Sequence, residues 1–167
     1  ILRDFQLGDI EPYSYWLQPE QLWHTLDGPY YAKSTPEQIA GGMKKLRKDI
    51  ESNDWPSPRR RLAMIHQEDK KFLGTVSWYW VSEETNWLAV GIAICDPDYW
   101  KRGLGYEALG LWSEYLLQAM PELVRLDLRT WSGNTGMMRL AEKLGYKQEA
   151  CFRKARIVNG EYYDSIG

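Results

Sequence analysis

Apolar positions along the chain change their spacing several times, and each change marks an element boundary. Leu2 to Phe5 reads as a short strand. After the polar turn at Gly8-Asp9, Tyr13, Trp16 and Leu17 suit one face of a helix. The next segment, Trp23-His24-Thr25-Leu26-Asp27-Gly28-Pro29-Tyr30-Tyr31, is aromatic, and its Gly-Pro pair breaks any helix. Thr35-Pro36-Glu37-Gln38 combines a capping hydroxyl, a first-turn proline and a capping-box glutamine, and predicts a helix running to about Ser52. From Arg61 the period becomes strand-like: Leu62 to His66, the turn Gln67 to Lys71, then Phe72 to Val81, rich in β-branched and aromatic residues. A second turn at Glu83 to Asn86 leads to a strict alternation, with Leu88, Val90, Ile92 and Ile94 on one face and Ala89, Gly91, Ala93 and Cys95 on the other. Gly105 to Met120 returns to helical spacing and stops at Pro121. Leu123 to Trp131 reads as a strand, Asn134 to Leu144 as a helix ended by Gly145, and Tyr146 to Ile157 with Glu161 to Ile166 as a hairpin across Asn159-Gly160. This order predicts a single mixed α/β (α+β) domain over residues 1–167, with a mostly antiparallel central sheet flanked by helices.

Composition narrows the partners. The 167 residues suffice for one domain with a substantial core. Nine Trp and eleven Tyr point to aromatic packing, an aromatic-walled pocket, or both. A net charge of −2 carries no polyanion-binding signal, which speaks against nucleic acid, and the run Arg59-Arg60-Arg61 reads as a solvated turn after Pro56-Ser57-Pro58. Cys95 and Cys151 are too few for a disulfide framework, so a reducing cytoplasm is expected. His24 and His66 stand alone, so no metal is expected, and no apolar run reaches membrane length. The chain starts at Ile1 rather than Met, so a preceding segment stays open.

The candidate chemistry lies in Tyr99-Trp100-Lys101-Arg102-Gly103-Leu104-Gly105-Tyr106-Glu107-Ala108, between an apolar strand and a helix. Gly103 and Gly105 lack a Cβ, so the backbone can take positive φ and a ligand can approach successive N–H groups. The start of the following helix adds unpaired N–H groups, and Lys101 and Arg102 add full charges. A phosphorylated cofactor is the functional reading; a sharp turn tolerated only by glycine is the structural one. The same letters satisfy the dinucleotide fingerprint G-x-G-x-x-G/A, with Asp127 near the place of its ribose-binding acid. Against that reading, Asp96 to Arg102 separate the strand from Gly103, the preceding elements form a meander, and Asp127 sits mid-strand. A dinucleotide-binding oxidoreductase therefore ranks as a minor alternative, and no Gly-Lys-Ser/Thr supports a Walker site.

The stretch from Ile94 to Ala108 resembles the acetyl-CoA-binding motif Q/R-x-x-G-x-G/A of the GNAT N-acetyltransferases. Trp100 stands where Q or R is usual. That departure, with Tyr99 before it and Glu107-Ala108 after it, is similar to the branch that acetylates serine and alanine at ribosomal-protein N-termini (RimJ/RimL-type). Asn134, Glu142 to Tyr146, Arg153, Asn159-Gly160 and Tyr163-Asp164 are similar to the rest of that branch's signature. The resemblance implies an acetyl-CoA donor bound at a splayed pair of strands. It implies that backbone around Ile94 and Cys95 pairs with the pantetheine arm, and that Lys101, Arg102, Gly103, Leu104, Gly105 and Tyr106 wrap the pyrophosphate. It further implies a cofactor contact from Asn134 and a phosphate contact from Arg139. Helix capping is the alternative for Asn134, and a solvated helix face is the alternative for Arg139. Family members continue beyond the position of Gly167, so a longer native chain stays open.

Transfer of an acetyl group to an amine requires a deprotonated amine, a polarised thioester carbonyl and a stabilised leaving thiolate. Direct attack is expected, with a backbone N–H near Ile94 polarising the carbonyl. No catalytic acid or base is assigned. Ala141 stands where the superfamily often places a tyrosine acid, and Ala89 where it often places a carboxylate. Glu83, Glu84 and His66 read as exposed turn or strand residues, and Cys95 as a small buried one. The acceptor side is expected from the N-terminal segment, where Trp23, Asp27, Tyr30 and Tyr31 would suit a cationic amine, although core packing explains the same aromatics. A peptide N-terminus, a polyamine and an aminoglycoside stay open as acceptors, as does a homodimer. A noncatalytic acyl-CoA-binding sensor is the alternative from a different class.

Overall fold

Strand-forming and helix-forming stretches settle close to where their periods place them in the computed structural model, which describes residues 1–167. The element order is β1 (Leu2–Arg3), α1 (Ile10–Trp16), α2 (Pro36–Ser52), β2 (Arg61–Ile65), β3 (Phe72–Ser82), β4 (Trp87–Ile94), α3 (Leu104–Ala119), β5 (Leu126–Leu128), β6 (Thr130–Trp131), α4 (Thr135–Lys143), β7 (Cys151–Val158) and β8 (Glu161–Ile166). The capping box at α2 is complete: Gln38 N–H donates to Thr35 Oγ1 at 3.3 Å, and Thr35 N–H donates to Gln38 Oε1 at 2.9 Å. Asn53, in the left-handed region at φ 51°, ends the helix.

Two sheets result. One runs β1-β2-β3-β4-β5, and the other β6-β8-β7. All pairings are antiparallel except β4 with β5, which run parallel. Alternation divides the first sheet's side chains between two cores. Met64, Leu88 and Val90 pack with Leu109, Trp112 and Leu116 of α3, and Met137, Leu140 and Leu144 close that side. Ala63, Ile65 and Phe72 face the other way, onto Phe5, Tyr13, Met43 and Leu46 of the N-terminal elements. Trp112 is fully buried and donates its indole N–H to Ser77 O at 3.0 Å, which fixes α3 against β3. Gly74 allows β3 to approach β4 closely: at φ 152°, a Cβ there would overlap the Ala93 carbonyl.

The expected splayed pair arises where β5 ends. β5 accompanies β4 only from Leu88 opposite Leu126 to Val90 opposite Leu128. Beyond Arg129 the chain leaves for the second sheet, where Thr130 and Trp131 pair with Ile166 and Ser165. Gly91 to Ile94 therefore have β3 on one side and no strand on the other. Leu123 to Trp131, read as one strand, is thus two short ones in different sheets. The strand expected from Tyr146 starts only at Cys151, although Ala150 and Gly167 exchange two backbone hydrogen bonds of 3.0 Å just before it. No helix is long and apolar enough to cross a membrane.

Candidate functional site

The free edge of β4 points its polar groups into the gap. Cys95 N–H donates to Leu73 O on β3 at 2.7 Å. Strand alternation therefore turns the N–H groups of Ile92 and Ile94 away from β3, toward the side that β5 has left. The Ile94 carbonyl on that side accepts the Trp100 indole N–H at 2.8 Å. Of the expected strand pair, Ile94 thus presents its backbone to the gap, whereas Cys95 has its N–H bonded to β3 and its side chain buried. Burial, with Asp27 adding to it, pushes the Cys95 thiol up to about 12, so it stays protonated at neutral pH.

The strand leads through a short 3-10 turn, Pro97–Tyr99, into the glycine loop. Lys101 at φ 60° and Gly103 at φ 83° are both left-handed, and they curl the backbone into a nest. The N–H groups of Lys101 to Gly105 donate to no backbone carbonyl, while those of Tyr106 and Glu107 close the first helical turn on Gly103 O. Nothing lies within 4 Å of the place a Gly103 Cβ would take, so the nest is open. Gly105 does not share the positive φ read for it from sequence. It lies inside α3, where a Cβ would sit 3.3 Å from Leu140 and 3.6 Å from Ile94, so its role is the close meeting of α3, α4 and β4. Leu104 is half-buried, and Lys101, Arg102 and Tyr106 are exposed. The open nest, its unpaired N–H groups and the free β4 edge fit a phosphorylated ligand with an extended polar arm.

Asn134 is the N-cap of α4, where its Oδ1 accepts Met137 N–H at 3.0 Å and its Nδ2 donates to Leu26 O at 3.1 Å. The capping role is therefore real, and one amide hydrogen is left over. Arg139 is exposed on α4 and forms no ion pair. Ala89 is buried opposite β5, and Ala141 packs against the core. Neither position carries a titratable group. No group of His, Cys, Asp and Glu is arranged to hold a metal ion.

The N-terminal aromatic segment docks beside the gap through contacts that the sequence does not announce. Leu26 O accepts both Asn134 Nδ2 and the Trp131 indole N–H, the latter at 2.9 Å across 105 residues. Trp23 is only 8 % exposed and donates its indole N–H to Trp16 O, so it serves packing and offers no open face. Tyr30 and Tyr31 meet edge to face at 4.8 Å, and Arg156 of β7 lies 4.5 Å from the Tyr30 ring and 5.9 Å from Tyr31. The cation that sequence reasoning gave these tyrosines as a guest is thus partly supplied by the chain itself. Asp27 enters no ion pair. Asp27 is exposed at the surface, and partial desolvation by its surroundings holds its carboxyl above the usual carboxylate range, against the opposing pull of His24 and Lys33.

Residues 1–147 match the family described as acetyltransferase (GNAT) domain. No curated protein matches the chain. Several solved structures share its fold. An acetyltransferase of the GNAT family from Bacillus anthracis is 19% identical with a TM-score of 0.74, over 99% of this chain and 90% of that one. Spermidine N-acetyltransferase from Vibrio cholerae, in complex with CoA and spermine, is 16% identical with a TM-score of 0.75, over 99% and 91%. Ribosomal-protein-S5-alanine acetyltransferase from Vibrio fischeri is 18% identical with a TM-score of 0.72, over 99% and 88%. With the family match spanning the five-stranded sheet, the open β4 edge and the glycine loop, this chain belongs to the GNAT acetyltransferase domain family.

Proposed function

We propose that the chain transfers an acetyl group from acetyl-CoA to a primary amine by direct attack in a ternary complex, as one cytoplasmic acetyltransferase domain over its 167 residues. The observation that carries this reading is the β4 edge, open beyond Val90, which leads through the Pro97–Tyr99 turn into the nest at the start of α3. The donor supplies an acyl group already activated as a thioester, so the protein's share is orientation and charge stabilisation. The N–H groups of Lys101 to Gly105, with the Lys101 charge, hold the pyrophosphate, and Arg102 contributes a second cation to the same cofactor. Ile92 and Ile94 offer backbone hydrogen bonds to the pantetheine arm, and the Ile94 N–H polarises the acyl oxygen. Asn134, through its remaining amide hydrogen, and Arg139 are further proposed contacts.

On the acceptor side, Asp27 holds the ammonium form of the amine, and the proton leaves to this carboxylate or to water. Tyr30 and Tyr31 wall the approach. The resemblance to the branch acting on ribosomal-protein N-termini favours a peptide N-terminus, and the fold shared with a spermidine acetyltransferase makes a small polyamine the second acceptor to try. The test is free-thiol release from acetyl-CoA with a panel of alanine- and serine-initiated peptides, polyamines and aminoglycosides, with product mass measured in parallel. Amine-dependent thiol release with an acetylated product is expected. CoA binding without product from any amine would overturn the transferase reading in favour of a noncatalytic acyl-CoA sensor.

A further inference from the structure

Antiparallel pairing of β3 with β4, Gly74 opposite Ile94, brings the turn Gln67 to Lys71 to the same end of the sheet as the glycine loop. Tyr99 stands between them and is nearly buried. Its ring lies 5.7 Å from Lys71 Nζ and 5.2 Å from Arg102 Cζ, and His66 meets it edge-on at 5.0 Å. The Tyr99 hydroxyl donates to Asp69 Oδ2 at 2.5 Å, while Asp69 Oδ1 accepts Lys71 N–H at 3.0 Å and lies 2.9 Å from His66 Nδ1. These contacts fix the ring and tie the β2–β3 turn to it. The Lys71 and Arg102 charges are therefore within about 11 Å of each other, the two ring distances added. Both side chains are exposed, and neither is in an ion pair. Two neighbouring acids are engaged internally, Asp69 as above and Asp96 as the cap of the 3-10 turn.

Arg102 thus lies over the Tyr99 ring, whose hydroxyl is bound to Asp69 of the β2–β3 turn. A diphosphate diester suits the nest, where many N–H donors share a spread charge. A terminal phosphate monoester carries about −1.5 to −2 charge at pH 7 and calls for full cations. We propose that Lys71 and Arg102, seated on the Tyr99 ring, form a separate subsite for such a monoester, the 3′-phosphate of CoA. The subsite rests on the acetyl-CoA reading above and makes the protein distinguish CoA from dephospho-CoA.

Calorimetric titration of the wild-type chain, Lys71→Ala, Lys71→Gln and Lys71→Arg with CoA and with dephospho-CoA tests it, with thermal unfolding confirming that each variant is folded. The wild type is expected to bind CoA about tenfold or more tightly than dephospho-CoA. Lys71→Ala and Lys71→Gln should lose about tenfold for CoA and leave dephospho-CoA unchanged, and Lys71→Arg should keep most of the preference. Equal affinity of the wild type for both ligands, or equal loss for both in Lys71→Ala, would overturn the subsite while leaving the donor assignment standing. If the wild type binds neither ligand, the donor assignment falls and takes the subsite with it.

Discussion

Two neighbours and a gap meet at Ile94: the Trp100 indole on its carbonyl at 2.8 Å, Gly105 against its side chain, and open space before its N–H. Trp100→Phe keeps an aromatic ring but removes the indole N–H from a carbonyl that faces the open gap, a loss of about 0.5–1.5 kcal/mol. The expected outcome is a lower unfolding midpoint together with weaker CoA binding, measured on the same sample. Asp27 acts at this scale too. Its raised folded-state value means that the charged form needed to hold an ammonium is lost, as pH falls, sooner than for an ordinary carboxylate. Asp27→Asn should raise KM for the amine by about tenfold, the weight of one charge-assisted contact, and should remove the acidic limb of kcat/KM against pH. A pH profile identical to wild type would exclude Asp27 from the acceptor site. Asp27 was legible as a carboxylate among aromatics. Arg156 on Tyr30 was not, because a cation–π contact between residues so far apart in the chain leaves no local pattern.

The two glycines of the loop separate at the scale of elements. Gly103 lies over open space with a left-handed backbone, so Gly103→Val should cost about 1–2 kcal/mol in strain and reduce CoA affinity by at least about tenfold. Gly105→Val crowds Leu140 and Ile94 at the α3–α4–β4 junction and should cost more stability, read as a larger fall in unfolding midpoint. Equal effects of both on stability would show that the nest and the junction are not distinct. Element bounds were legible where side chains alone set them: Thr35, Pro36 and Gln38 begin α2 as read. They were illegible where a partner strand decides. Leu123 to Trp131 carries no break in its pattern, yet β4 claims Leu126 to Leu128 and β8 claims Thr130 and Trp131.

Across the whole molecule, the N-terminal segment is tied to β6 and to the start of α4, since Leu26 O takes bonds from both Trp131 and Asn134. The mixed α/β class and the glycine loop were readable from residues near one another in sequence. This tie joins residues more than 100 positions apart and could not be. The β2–β3 turn also responds to pH. Asp69 is held down to about 2 from 3.8, chiefly by the Tyr99 hydroxyl and then by the Lys71 N–H. Because its folded-state value is depressed, its contribution to stability is present above 3.8 and is lost as pH falls from there to about 2. Unfolding midpoints measured across that window should therefore fall more steeply for the wild type than for Asp69→Asn. The placement of the donor along β4 and in the nest is tested most directly by an amide-resolved NMR titration with CoA. Shift changes centred on Ile92, Ile94 and the amides of Lys101 to Gly105 are predicted. Saturable binding with no change at those amides would contradict it.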